Sequence, residues 1–171
     1  MNETAGTPAA RLALALVAAL GAGGAPYAFA AGGDAAPVVS EPLATAAPRP
    51  AVEVWKTPTC GCCSGWVAYL REEGFEVVAH DVEDVDPVRE RLGLTDPRLK
   101  SCHTATVGGY VIEGHVPVSD IDRLLTERPD LVGISAPGMP MMSPGMGSRE
   151  PKGYDVIGFD EHGETAVFAS H

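Results

Sequence analysis

From Ala51 onward the apolar positions switch between two periods, and each switch marks an element. Ala51–Trp55 reads A-V-E-V-W, the alternation of a half-buried strand. Cys63 onward takes a helical period: Trp66, Val67 and Leu70 share one face, Arg71, Glu72 and Glu73 lie beyond, and Gly74 is a natural stop. Phe75–His80 reads as a second strand. Asp84–Leu92 carries Val85, Val88 and Leu92 at helical spacing, with Pro87 near its start and Gly93 at its end. Asp96–Ser101 is a short turn or helix. Thr104–Val107 and Tyr110–Glu113 flank Gly108-Gly109, a two-residue hairpin signal. Ser119-Asp-Ile-Asp122 has the form of a capping box that opens a helix through Glu127, with Ile121, Leu124 and Leu125 facing inward and Pro129 closing it.

The order is strand, helix, strand, helix, hairpin, helix. A βαβ unit followed by a β-hairpin and a helix predicts an α/β, thioredoxin-like fold with the cysteine-rich stretch at its first strand–helix junction. Beyond it, Leu131–Ser148 reads as a Pro/Gly loop carrying Met139, Met141, Met142 and Met146. Tyr154–Phe159 and Glu164–Ala169 pair around Asp160–Gly163 as a C-terminal β-hairpin extension.

The first 50 residues carry a different pattern. In 1–30, Arg11 precedes the apolar run Leu12–Leu20, and Ala28-Phe29-Ala30 fits the small-x-small cleavage site of a secretory signal peptide. Gly21, Gly23, Gly24 and Pro26 interrupt the run, which falls short of the ~20 apolar residues of a membrane span. This predicts export, cleavage and no stable membrane insertion afterwards. Residues 31–50 are Ala- and Pro-rich with few large apolar side chains, a flexible tether, which leaves 51–171 as one folded domain. A net charge of −11 with no polybasic patch argues against a nucleic-acid partner.

Candidate chemistry concentrates in Cys60-Gly-Cys-Cys63, which holds three of the chain's four cysteines at a helix N-terminus. Unpaired backbone N–H groups and the positive dipole end there favour a thiolate. Two chemistries use such a site, disulfide exchange and soft-metal binding. Cys60 and Cys63 form a C-x-x-C able to run exchange, but Cys62 between them is a competing thiol. The loop before the third strand, where a thioredoxin-like enzyme normally carries a cis-proline, reads Ser101-Cys102-His103-Thr104 and brings a fourth cysteine toward the first three. Four sulfurs converging from two loops suit a metal.

Zinc prefers separated C-x-x-C pairs, whereas three sulfurs in four residues suit thiolates that bridge several ions, which points to Cu(I) and less strongly to an iron–sulfur cluster. The methionine loop adds soft thioether donors, with Met139 a candidate ligand and a flexible docking surface the alternative role. His103 adjoins Cys102 and either ligates or tunes the site through a hydrogen bond. The metal set read from the residues is Cys60, Cys62, Cys63 and Cys102 with Met139 and His103.

Lys56–Trp66 (K-T-P-T-C-G-C-C-S-G-W), Glu73-Gly-Phe75, Lys100–Thr104, Glu113-Gly-His-Val-Pro117, Pro137-Gly-Met-Pro140 and Ser143-Pro-Gly-Met146 occur in this order. Together they resemble an exported metal-binding family, long catalogued as a domain of unknown function, that includes the bacterial copper-resistance protein CopG. The resemblance implies a thioredoxin-like fold, residence in the periplasm and a Cu(I)–thiolate cluster of several coppers on Cys60, Cys62, Cys63 and Cys102. It also implies a role in copper resistance, with copper redox interconversion as an associated activity. The implied partners are copper ions and periplasmic copper-efflux or copper-oxidase components. Against this stands a thiol–disulfide oxidoreductase using Cys60 and Cys63. A copper chaperone without redox turnover shares the metal site.

Overall fold

The computed structural model describes residues 48–171. The expected signal at 1–30 and the tether at 31–50, apart from Pro48–Pro50, lie outside the described residues. Arg49 already belongs to the folded part: its guanidinium reaches Asp122 at 2.7 Å and covers the Phe75 ring at 4.7 Å.

Strand β1 (Val52–Lys56) runs parallel to β2 (Val77–Asp81), with helix α1 (Gly61–Glu72) as the crossover. Helix α2 (Asp86–Arg91) and a 3-10 turn at Pro97–Leu99 lead to the antiparallel hairpin of β3 (His103–Val107) and β4 (Tyr110–Gly114). Helix α3 (Val118–Glu127) then crosses to β5 (Gly133–Ala136), parallel to β4, and β6 (Asp155–Phe159) and β7 (Thr165–Ser170) follow. The strands form one seven-stranded sheet in the order β2-β1-β3-β4-β5-β6-β7, a thioredoxin-like arrangement with the C-terminal hairpin added at one edge.

The helices follow the apolar spacing of the sequence. Trp66, Val67 and Leu70 of α1 and Ile121 and Leu124 of α3 are buried on one sheet face against Val52, Val54, Ala105, Val107, Ile112, Ile134 and Val156. A smaller cluster of Leu94, Leu99, Val111 and Phe159 fills the other face. Gly74 takes φ +88°, where its N–H bonds the Arg71 carbonyl and Phe75 bonds that of Leu70, so α1 closes where the sequence predicts. Gly108 and Gly109 both have positive φ, as the tight β3–β4 turn demands.

Three expectations need correction. Helix α1 begins at Gly61, not Cys63, because the Cys60 sulfur caps it by accepting the Cys63 N–H at 3.3 Å. Helix α3 has no Ser119 capping box: it starts at Val118 after extended Pro117, and the Val118 N–H donates to the Tyr69 hydroxyl on α1 at 3.0 Å. The span read as one loop from Leu131 contains β5, whose four residues are all buried. A short, two-sided buried run has no alternation to betray it.

Gly133 pairs with Val111, and a Cβ there would overlap the Val111 carbonyl oxygen. Gly133→Ala is therefore expected to cost about 1–3 kcal/mol in urea unfolding through overpacking. A cost near zero would place these residues outside the sheet.

Candidate metal centre

The site lies where the N-terminus of α1 meets the loop into β3. Cys60 caps α1, Cys62 and Cys63 occupy its first turn, and Cys102 directly precedes β3. The four sulfurs lie within 4.8 Å of one another. Cys60 and Cys63 are joined as a disulfide with their Cα atoms 5.3 Å apart, whereas Cys62 and Cys102 are free thiols. Cys62 Sγ stands 3.4 Å from Cys60 Sγ and 4.0 Å from Cys102 Sγ.

Two histidines complete the cluster, and the spacing of the sequence pointed to one of them. His103, the expected neighbour of Cys102, is fully buried with Nδ1 3.6 Å from the Cys102 sulfur. Its ring packs on Trp66, and its Nε2 has no hydrogen-bond partner among the described residues. His115 was not singled out. It is also fully buried, with Nε2 3.0 Å from Cys102 Sγ and Nδ1 2.7 Å from the Pro144 carbonyl. A carbonyl only accepts, so the proton sits on Nδ1 and the Nε2 lone pair faces the sulfur. This is the outer-shell arrangement that orients a metal-binding imidazole. Apolar residues on either side of it, Tyr110–Ile112 and Val116–Val118, were the sequence signal, and the structure buries every residue from Tyr110 to Val118.

Burial governs the protonation of these groups. It pushes the Cys102 thiol up to about 12, with the neighbouring Cys62 adding to the shift. Burial likewise holds His115 below its ordinary range, and His103 well below, where the His115 and Arg89 charges act in the same direction. Both imidazoles are thus neutral donors. A metal arriving at Cys102 displaces a proton.

A buried ion pair holds the Cys102 side of the site. Glu113 on β4 is fully buried, which raises its carboxyl, and Arg89 of α2 opposes that shift. Arg89 Nε donates to Glu113 Oε1 at 2.9 Å and its Nη2 to the Ser101 carbonyl at 2.6 Å. The Ser101 N–H donates to the same carboxylate oxygen at 2.6 Å, and the Thr104 hydroxyl donates to the other. The backbone on both sides of Cys102 is thereby fixed.

The methionine loop is docked on this face. Ser101 pairs with Gly138, whose N–H bonds the Lys100 carbonyl at 2.9 Å. Met139 is 59 % exposed and shares with Cys102, Ser101 and Lys100 a notch of about 230 Å³. Met141 and Met142 are exposed. Gly145, at φ +85°, lies so close to α1 that a Cβ would fall 2.6 Å from the Trp66 nitrogen. The structure therefore brings Cys60, Cys62, Cys63, Cys102 and His103 together and sets Met139 at the rim.

Residues 99–146 match a family described as a protein of unknown function, DUF411. Two solved structures, both described as copper resistance protein copG (forms 1 and 2), are each 40 % identical to the chain. Each covers 72 % of this chain and 98 % of its own, with a TM-score of 0.66. The chain belongs to the DUF411 family of CopG. No curated protein matches it. Family membership agrees with the metal-capable Cys/His groups of the site. Among the described residues no helix is long and apolar enough to cross a membrane.

Removing one partner of the buried pair leaves an uncompensated charge. Arg89→Met is expected to lose about 3–5 kcal/mol in urea unfolding, and Arg89→Met with Glu113→Leu to recover most of it. Additive losses would show that the two side chains are not coupled.

Proposed function

We propose that this chain is a periplasmic copper-binding protein that, with its cysteines reduced, holds several Cu(I) ions on bridging thiolates of Cys60, Cys62, Cys63 and Cys102. The observation that carries the reading is the convergence of four sulfurs from two separate segments within 4.8 Å. Adjacent Cys62 and Cys63 cannot easily close on a single tetrahedral ion, whereas thiolates shared between ions have no such restriction. Thiolates also supply the charge and softness that Cu(I) prefers. His115 adds a neutral nitrogen donor beside Cys102, and His103 lines the same wall. Met139 stands at the rim, where a thioether would meet copper on its way in. Family membership with proteins described as copper-resistance proteins supports a role in copper resistance. Copper redox interconversion, and copper-efflux or copper-oxidase components as partners, belong to the same reading. Export rests on the signal-like pattern of residues 1–30.

The Cys60–Cys63 disulfide favours a second reading, thiol–disulfide exchange. It predicts reduction of insulin or scrambled substrates that survives Cys62→Ser and Cys102→Ser. The proximity of Cys62 to Cys60, 3.4 Å, argues against it, since Cys62 would intercept a mixed disulfide.

Anaerobic titration of the reduced chain with Cu(I) against a competing chelator, with metal analysis, separates the two. The copper reading expects more than one tightly held copper per chain and a lower stoichiometry in Cys102→Ser. Unchanged stoichiometry and affinity in that variant would remove Cys102 from the site.

A further inference from the structure

The His115 ring has two nitrogens, and a different segment meets each. Its Nε2 faces the Cys102 sulfur at 3.0 Å, and its Nδ1–H donates to the Pro144 carbonyl at 2.7 Å. No part of the residue is exposed, and among the described residues the ring has no other hydrogen-bond partner. Pro144 belongs to the methionine segment. The direction of the His115 lone pair is therefore set by how that segment lies on the domain.

The segment is fastened at both ends and seated in the middle. At one end Gly138 pairs with Ser101 and donates to the Lys100 carbonyl at 2.9 Å. At the other, Arg149 reaches Glu72 and Glu73 of α1, the latter at 2.6 Å. These ion pairs are exposed, and such pairs hold weakly in water. Between the ends, Ser143 and Pro144 are buried and Gly145 rests on α1. A Cβ on Gly65 would stand 3.1 Å from the Gly145 carbonyl oxygen, whereas one on Gly61 of the same helix would have no atom within 4 Å. Gly65 lies inside α1, where glycine weakens a helix relative to alanine. The seat for Gly145 gives that residue its use.

We propose that the segment from Gly138 to Arg149 is a strap that gates the metal centre, with Pro144 as the positioning residue for His115. Seated, it turns the imidazole toward Cys102 and closes the Nδ1 side of the ring. Lifted, it frees the ring to turn, and a metal held through His115 is let go. Cys60, Cys62 and Cys102 are each partly exposed, so a metal meets them without the strap moving. Engaging His115 is the step the strap controls. The metal half of this inference rests on the copper reading above; the seating of the strap does not. Loss of an outer-shell partner of a ligating histidine lowers metal affinity by about 10- to 100-fold, which sets the size of effect to expect.

The test uses the full chain with three substitutions that leave every donor in place. Gly65→Ala sets a methyl group under the Gly145 carbonyl, Arg149→Gln cuts the far fastening, and Gly61→Ala makes the first change where there is room for it. Long-range proton–nitrogen NMR of the metal-free chain reads which His115 nitrogen carries the proton. The rate at which a chelator withdraws Cu(I) from the reduced, loaded chain reads the gate. The unsubstituted chain and Gly61→Ala are expected to hold the proton on Nδ1. Gly65→Ala and Arg149→Gln are expected to populate the Nε2–H form and to lose Cu(I) about tenfold faster or more. An unchanged tautomer in Gly65→Ala overturns the strap, and so does an equal change in Gly61→Ala. Were Gly65→Ala to unfold, Arg149→Gln decides alone by the same two readouts. An unsubstituted chain that holds no Cu(I) overturns the copper reading instead, and the tautomer comparison then decides the strap.

Discussion

Glu113 carries a carboxylate into a place with no solvent, and the structure answers it with Arg89, the Ser101 N–H and the Thr104 hydroxyl. Those partners come from α2, the loop before β3 and β3 itself, so one buried charge ties three segments to β4. Cys102 follows Ser101 directly, and His115 lies two residues after Glu113. Cys102 and His115, two of the donors that do not sit on α1, are thus anchored by the same pair. An apolar pair would fill the volume as well or better in energy, but it would not aim the Ser101 backbone. Position, more than stability, is what this interaction supplies.

The other half of the site is held by a helix end. Cys60 caps α1 with its own sulfur, which places Cys62 and Cys63 in the first turn where backbone N–H groups point outward. Across the site, burial drives the Cys102 thiol up, to about 12. Metal binding at Cys102 is coupled to proton release, and His115, neutral and oriented by Pro144, keeps its nitrogen lone pair turned toward the sulfur. The loop that supplies Pro144 also packs Gly145 against α1, so the methionine segment braces the centre as well as bordering it.

Much of this was legible in the chain. The changes of period predicted every helix, because each buries one face and exposes another, and Gly108-Gly109 marked the β3–β4 hairpin although β4 is buried throughout. β5 escaped, since Gly133–Ala136 is buried on both sides and bounded by proline and glycine that read as loop. The α3 cap was misplaced because its acceptor is Tyr69, a hydroxyl distant in sequence that no local pattern records. In the site, the cysteines stood out by spacing and by the missing proline before β3. His115 did not, because its role depends on β4 ending beside Cys102 and on a carbonyl 29 residues away. Arg89 and Glu113 looked like ordinary members of a surface helix and a strand until the fold brought them together.

The central claim is that two segments, one a helix end and one a loop fixed by a buried ion pair, build a single sulfur-rich copper centre. X-ray absorption at the copper edge of the reduced, Cu(I)-loaded chain tests it most directly. The account predicts a sulfur-dominated first shell together with a copper–copper scattering vector, the signature of ions sharing thiolates. A shell of nitrogen and oxygen alone, or sulfur ligation with no copper–copper vector at full loading, would contradict it.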